Sequence, residues 1–150
     1  MPKLIIALAM AVVAAGSAVA SQETDVMAPI QQFVDGFNKS DVKMAQAACA
    51  DQTFIIDDFP PHAWRGAEAT SAWLSDYNAF ARQNGITDGF VALGKPRHID
   101  VAGVHAYVVV ETSISLKKNG KAVKHLGLMT LALNKEANSW RITAWAWADN

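Results

Sequence analysis

At Gly85 the hydrophobic pattern changes period, and this change constrains the possible fold more than any single motif. Upstream, apolar residues recur every three or four positions, the repeat of a helix with one buried face. Val26, Ile30, Phe33, Val34 and Phe37 predict a helix over 25–38 with Thr24 as its N-cap. Ser40-Asp41 caps a shorter helix that places Cys49 on its buried side, and Trp73, Leu74, Tyr77, Phe80 and Ala81 predict a helix over 67–83. Between these helices, Thr53 to Asp57 reads as a short strand, and Asp58 to Gly66 reads as a loop because Pro60-Pro61 breaks both helix and central strand. Downstream of Gly85 the pattern alternates. Phe90–Ile99, Val104–Leu116, Lys121–Leu133 and Trp140–Trp147 are strand candidates, and Asn119-Gly120 suits a tight hairpin. Helices followed by long sequential strands imply an α+β domain in which a curved antiparallel sheet wraps three N-terminal helices.

The run Leu4 to Ala20 belongs to neither part. It follows the positive charge of Lys3, ends in Ala18-Val19-Ala20 and gives way to polar Ser21-Gln22-Glu23, the layout of a secretory signal. Residues 1–20 are therefore expected to be an export signal, the alternative being an uncleaved anchor for which an apolar run of 17 residues is marginal, and 21–150 the folded domain, periplasmic or secreted. Without Lys3 the domain has 12 basic and 14 acidic side chains, so charge gives it no reason to hold nucleic acid, or a membrane once the signal is cleaved. Cys49 is the only cysteine, which rules out an internal disulfide and leaves stability to the core.

Several short segments, taken in order, resemble the nuclear transport factor 2 superfamily and its SnoaL-like and ketosteroid-isomerase-like members. They are the Asn38-Lys39-Ser40-Asp41 turn, Ala50-Asp51 before the first strand, Asp57 at its close, Trp64-Arg65-Gly66 before the third helix and Trp140-Arg141-Ile142 opening the last strand. The resemblance implies a cone with a pocket at its open end, and often a dimer through the outer face of the sheet. It places Asp57 where ketosteroid isomerases keep a general-base aspartate. The positions of their oxyanion-holding tyrosine and aspartate are Phe33 and Met129 here, and neither side chain can donate a hydrogen bond to an enolate. Steroid isomerisation by that mechanism is thereby disfavoured.

If Met129 marks the concave face, alternation brings His125 to the same side, so Asp57 and His125 become the candidate catalytic pair. A lone histidine on an apolar strand is also a common structural residue. Phe33, His62, Trp64, Tyr77 and Met129 are expected to line the pocket, although a tryptophan before the third helix often serves only as a core plug. Asp57, Asp58 and His62 have no recognised zinc or iron spacing, so neither metal nor cofactor is expected. In the last strand Trp145 and Trp147 alternate with alanines. If the alanines face the cone, both tryptophans face outward with Tyr107, Leu126 and Leu128, forming a homodimer interface. A bulge would reverse this parity. The expected function is binding of a small apolar or amphipathic molecule. It is either a cofactor-free lyase, isomerase or hydratase using Asp57 as base, or a non-catalytic exported protein holding a hydrophobic ligand.

Overall fold

The computed structural model describes residues 10–150, with side chains from residue 20 onward. Three helices, α1 (Met10–Asn38), α2 (Val42–Ala47) and α3 (Ala69–Gln83), accompany six strands: β1 (Cys49–Ile56), β2 (Ala63–Gly66), β3 (Ile86–Ala102), β4 (His105–Lys118), β5 (Lys121–Glu136) and β6 (Ser139–Asp149). The sheet is curved and unclosed, in the order β2-β1-β6-β5-β4-β3, and antiparallel except where β1 runs parallel to β6. Its concave face and the helices bury one core. Val26, Ile30, Phe33 and Val34 of α1 and Trp73 and Leu74 of α3 meet Val108, Val110, Met129, Leu131 and Leu133 of the sheet. Each such side chain contributes about 1.5–3 kcal/mol on burial.

Helix α1 continues upstream through Thr24, which is not its N-cap. The Thr24 hydroxyl donates back to the Ala20 carbonyl at 2.9 Å, as a threonine inside a helix does when the preceding turn is also helical. Of the segment expected as an export signal, residues 1–9 lie outside the described residues. Among the described residues, no helix is long and apolar enough to cross a membrane. Asp41 caps α2 as expected, accepting from the Met44 N–H at 3.0 Å. Gly36 lets α1 and α2 touch, since a Cβ there would stand 2.6 Å from the Ala45 nitrogen. Cys49 is the first residue of β1 rather than part of α2. It is buried and accepts from the Thr70 hydroxyl at 3.4 Å.

Two short turns set the register of the long strands. Asn119 and Gly120 both take positive φ, as do Ala137 and Asn138, matching the two-residue hairpin expected at the first site. β2 lies within the stretch read as loop. It begins after the Pro60-Pro61 turn and pairs with β1 at the sheet edge. At the opposite edge, the Asn38 side chain docks α1 on β3. Its amide donates to the Val91 carbonyl and its oxygen accepts from the Val91 N–H, both at 2.8 Å.

The β5–β6 pairing corrects the expected face of the tryptophans. From Glu136↔Ser139 to Leu133↔Ile142 the two strands advance together, and then Ala132 pairs with Ala144, leaving Thr143 as one extra residue. The Thr143 hydroxyl donates to the Ala132 carbonyl at 3.1 Å, satisfying an acceptor at the bulge. Without the bulge, in unbroken register, Trp145 would lie opposite Thr130, on the outer face. With it, Trp145 pairs with Leu131 and Trp147 with Met129, so both turn inward and neither is part of an outer interface.

Candidate functional site

Alternation along β1 puts Ile55 on the concave side and Ile56 on the convex side, and so returns Asp57 to the concave side just as the strand ends. The loop that follows is tied back on itself: the Asp57 N–H donates to the His62 carbonyl at 3.1 Å, and the His62 N–H donates to the Phe59 carbonyl at 2.9 Å. Asp57 thus reaches a cavity of about 280 Å³ between α1, α3 and the concave sheet. Aromatic rings make much of its wall. Phe33 lies 5.6 Å from Trp73 and 5.4 Å from Trp145, Phe37 lies 5.0 Å from Tyr77, and Trp73 and Trp145 meet edge to face at 5.0 Å.

Asp57 is the acid inside this apolar wall. The Trp73 indole N–H donates to its Oδ2 at 2.8 Å and the Asp58 backbone N–H donates to its Oδ1 at 2.8 Å. Burial raises its pKa from 3.8 to about 6, against the pull of the Trp73 hydrogen bond towards the ionised form. Trp73→Phe keeps a ring in the aromatic cluster but removes the donor. It is expected to move the Asp57 midpoint further above about 6 in a carboxyl-carbon NMR titration, and an unchanged or lower midpoint would contradict that assignment. Tyr77 also lines the cavity, and its hydroxyl is held above its ordinary pKa by burial first and then by the charges of Asp57 and Asp58.

The expected pocket residues divide by the local course of the chain. Phe33, Tyr77 and Met129 line the cavity with Asp57 and His125. His62 does not. It is exposed, with positive φ, and its Nδ1 lies 3.2 Å from the Asp57 backbone carbonyl. Nor does Trp64, which is buried behind the site, packed 5.0 Å from Phe59 and donating to Asp76 Oδ2 at 2.8 Å. His125 stands at the exposed mouth, its Nδ1 3.7 Å from Asp149 Oδ2, and it is not among the groups that shift Asp57. Trp145 and Trp147, expected outside, are part of the cavity wall. Trp147 lies across β5, and its indole N–H donates to Thr112 Oγ1 on β4 at 2.9 Å. No residue pattern signalled this for either tryptophan, only the general rule that a bulge reverses strand parity. The Trp73–Asp57 bond had no local signal, because it joins a helix and a strand end 16 residues apart.

Among the described residues, no three histidine, cysteine or acidic side chains converge as metal ligands would. The cavity offers instead a carboxyl group poised near neutrality, aromatic surface and a few hydrogen-bonding atoms, the ingredients for holding a small, largely apolar molecule and exposing it to a base.

An open α+β cone around such a cavity defines a class of small pocket proteins, and sequence places this chain within it. Residues 26–146 match the SnoaL-like domain family, to which the chain belongs. No curated protein sequence matches it. The fold is shared with a protein of unknown function from Mycobacterium tuberculosis, at a TM-score of 0.74 and 16% identity over 89% of this chain and 75% of that one. It is shared with a ketosteroid isomerase-like protein from Erwinia carotovora atroseptica, at 0.67 and 15% over 84% and 94%. A type 2 hexachlorocyclohexane dehydrochlorinase is also similar, at 0.74 and 7% over 87% and 86%.

Proposed function

We propose that this chain is an exported, cofactor-free enzyme of the lyase, isomerase or hydratase type, acting on a small apolar or amphipathic molecule with Asp57 as general base. The observation that carries the reading is the Asp57 carboxyl group, set in an apolar cavity with a pKa of about 6, where it is substantially ionised at neutral pH yet basic enough to take a proton. Base-driven elimination needs such a group, and a dehydrochlorinase is among the proteins that share this fold. His125 at the mouth is turned towards Asp149, so the proposal rests on Asp57 alone for proton abstraction. A second reading, a non-catalytic binding protein, is favoured by Phe33 and Met129, which line the cavity without offering any donor.

Native mass spectrometry of the purified protein distinguishes the two. A retained molecule that the native chain converts, and that Asp57→Asn converts at least about a hundredfold more slowly, supports the enzyme. A molecule that both chains retain equally and leave unchanged supports the binder. The same spectrum tests export, for which the proposal requires loss of residues 1–20. We also propose that the convex sheet face forms a homodimer, with Tyr107, Leu126 and Leu128 in the contact. Tyr107 and Leu126 are 45% and 55% exposed, and Phe90 and Ile56 add apolar surface on the same face. Light scattering at micromolar concentration is expected to give twice the chain mass, and Leu126→Asp to halve it. A native monomer contradicts the proposal.

A further inference from the structure

Two buried polar side-chain atoms among the described residues have no hydrogen-bond partner, Trp145 Nε1 and Tyr77 Oη, and both residues line the Asp57 cavity. Native proteins seldom leave such groups unpaired, because a buried donor without an acceptor forfeits its solvation. The contrast with other indoles is direct. Trp64, Trp73 and Trp147 each donate to a named oxygen, at 2.8, 2.8 and 2.9 Å. Trp145 is 4% exposed and is held from three directions, by Leu131 and Ile55 on the neighbouring strands and by Phe33 and Trp73 against its ring, so it cannot swing to find water. Tyr77 is held by Gly89 in β3, where a Cβ would come within 2.9 Å of the hydroxyl.

An indole N–H can only donate. A ligand that satisfies it must bring an acceptor into a cavity walled largely by rings and aliphatic side chains, alongside the polar groups of Asp57, Asp58, Thr112, Lys118, His125 and Asp149. We infer that Trp145 Nε1 is the specificity-determining donor of this site, with the Tyr77 hydroxyl as a second, and that the ligand is a small apolar skeleton carrying a carbonyl or ether oxygen. This rests on the proposed ligand-binding cavity and goes beyond it by naming the functional group that is read. It also supplies hydrogen-bond donors from β6 and α3 in a cavity where Phe33 and Met129 provide none. A site built to donate discriminates against an isostere lacking the acceptor, since the donor is then left unpaired.

Acetophenone and α-methylstyrene differ by exchange of a carbonyl oxygen for a methylene group and serve as the probe pair. They are titrated into the protein while the tryptophan indole N–H resonances are followed by NMR. Acetophenone is expected to bind about fivefold more tightly, as one added hydrogen bond allows. It should also shift downfield the resonance that Trp145→Phe removes, and that variant should lose most of the preference between the probes. Should Trp145→Phe fail to fold, assigning the resonance through Leu131 and Ile55 keeps the test on the native chain, and Tyr77→Phe offers a second variant with a smaller loss of preference. If both probes bind the native chain equally and the Trp145 resonance does not distinguish them, the inference is overturned while the cavity reading stands. If neither probe binds, both fail.

Discussion

Asp57→Asn is expected to make the fold more stable than the native chain at pH 8, by about 2 kcal/mol, and to lose all of that advantage by pH 4. The group's pKa in the fold is raised from 3.8 to about 6, so between those values the folded chain holds a proton that the unfolded chain has released. Stability therefore falls as pH rises through that window, and above about 6 the ionised carboxylate costs the fold about 3 kcal/mol in full. Asparagine removes the charge but has one acceptor oxygen for two donors. If it keeps the Trp73 bond, the exposed Asp58 N–H turns to water at a cost of about 1 kcal/mol. Urea denaturation of both chains at intervals from pH 4 to pH 8 reads the difference. Curves that stay parallel across that range would mean that burial does not penalise the charge, and the proposed base would lose the property that makes it one.

The same residue illustrates how far the sequence could be followed. Asp57 was legible because the resemblance to ketosteroid isomerases puts their general base there and strand alternation agrees: one residue beyond Ile56, it faces the side that Ile55 faces. Phe33 and Met129 were placed in the pocket by the same resemblance, and Tyr77 by its helical spacing, and the regular elements that carry them keep all three on the cavity side. Trp145 and Trp147 were not, because one bulged residue, Thr143, inverts everything after it, and a bulge stabilised by a threonine hydroxyl leaves little trace in a pattern of large and small residues. His62 and Trp64 failed differently. Their positions depend on how the loop after Asp57 bonds to its own backbone, which the Pro60-Pro61 pair signals as irregular without saying which way its side chains point. Thr24 resembles a cap because the apolar helical repeat begins just after it. A cap is a statement about the preceding residue, and the residues before Thr24 are helical.

Gly127→Ala is expected to destabilise the protein by about 2–4 kcal/mol and to disturb the cavity, although only a methyl group is added. A Cβ at residue 127 would lie 2.6 Å from the Ala148 carbonyl oxygen and 2.6 Å from both Cε2 and Cζ2 of Trp147. Trp147 reaches Thr112 on β4 by crossing β5 at the one position that has no side chain in the way. The added methyl forces the indole or the strand to shift, at about 1–3 kcal/mol for overpacking. Breaking the Trp147–Thr112 bond, whose acceptor sits on a buried threonine, adds about 1 kcal/mol. Because Trp147, Thr112 and Met129 all line the cavity, the displaced ring also changes the space open to a ligand. A double-mutant cycle checks the cause. With Trp147→Ala in the background the ring clash is gone and only the contact with the Ala148 carbonyl remains, so Gly127→Ala should cost at least about 1 kcal/mol less than it does alone. Strict additivity of the two substitutions would show that the glycine is needed for the strand itself and not for the tryptophan that lies across it.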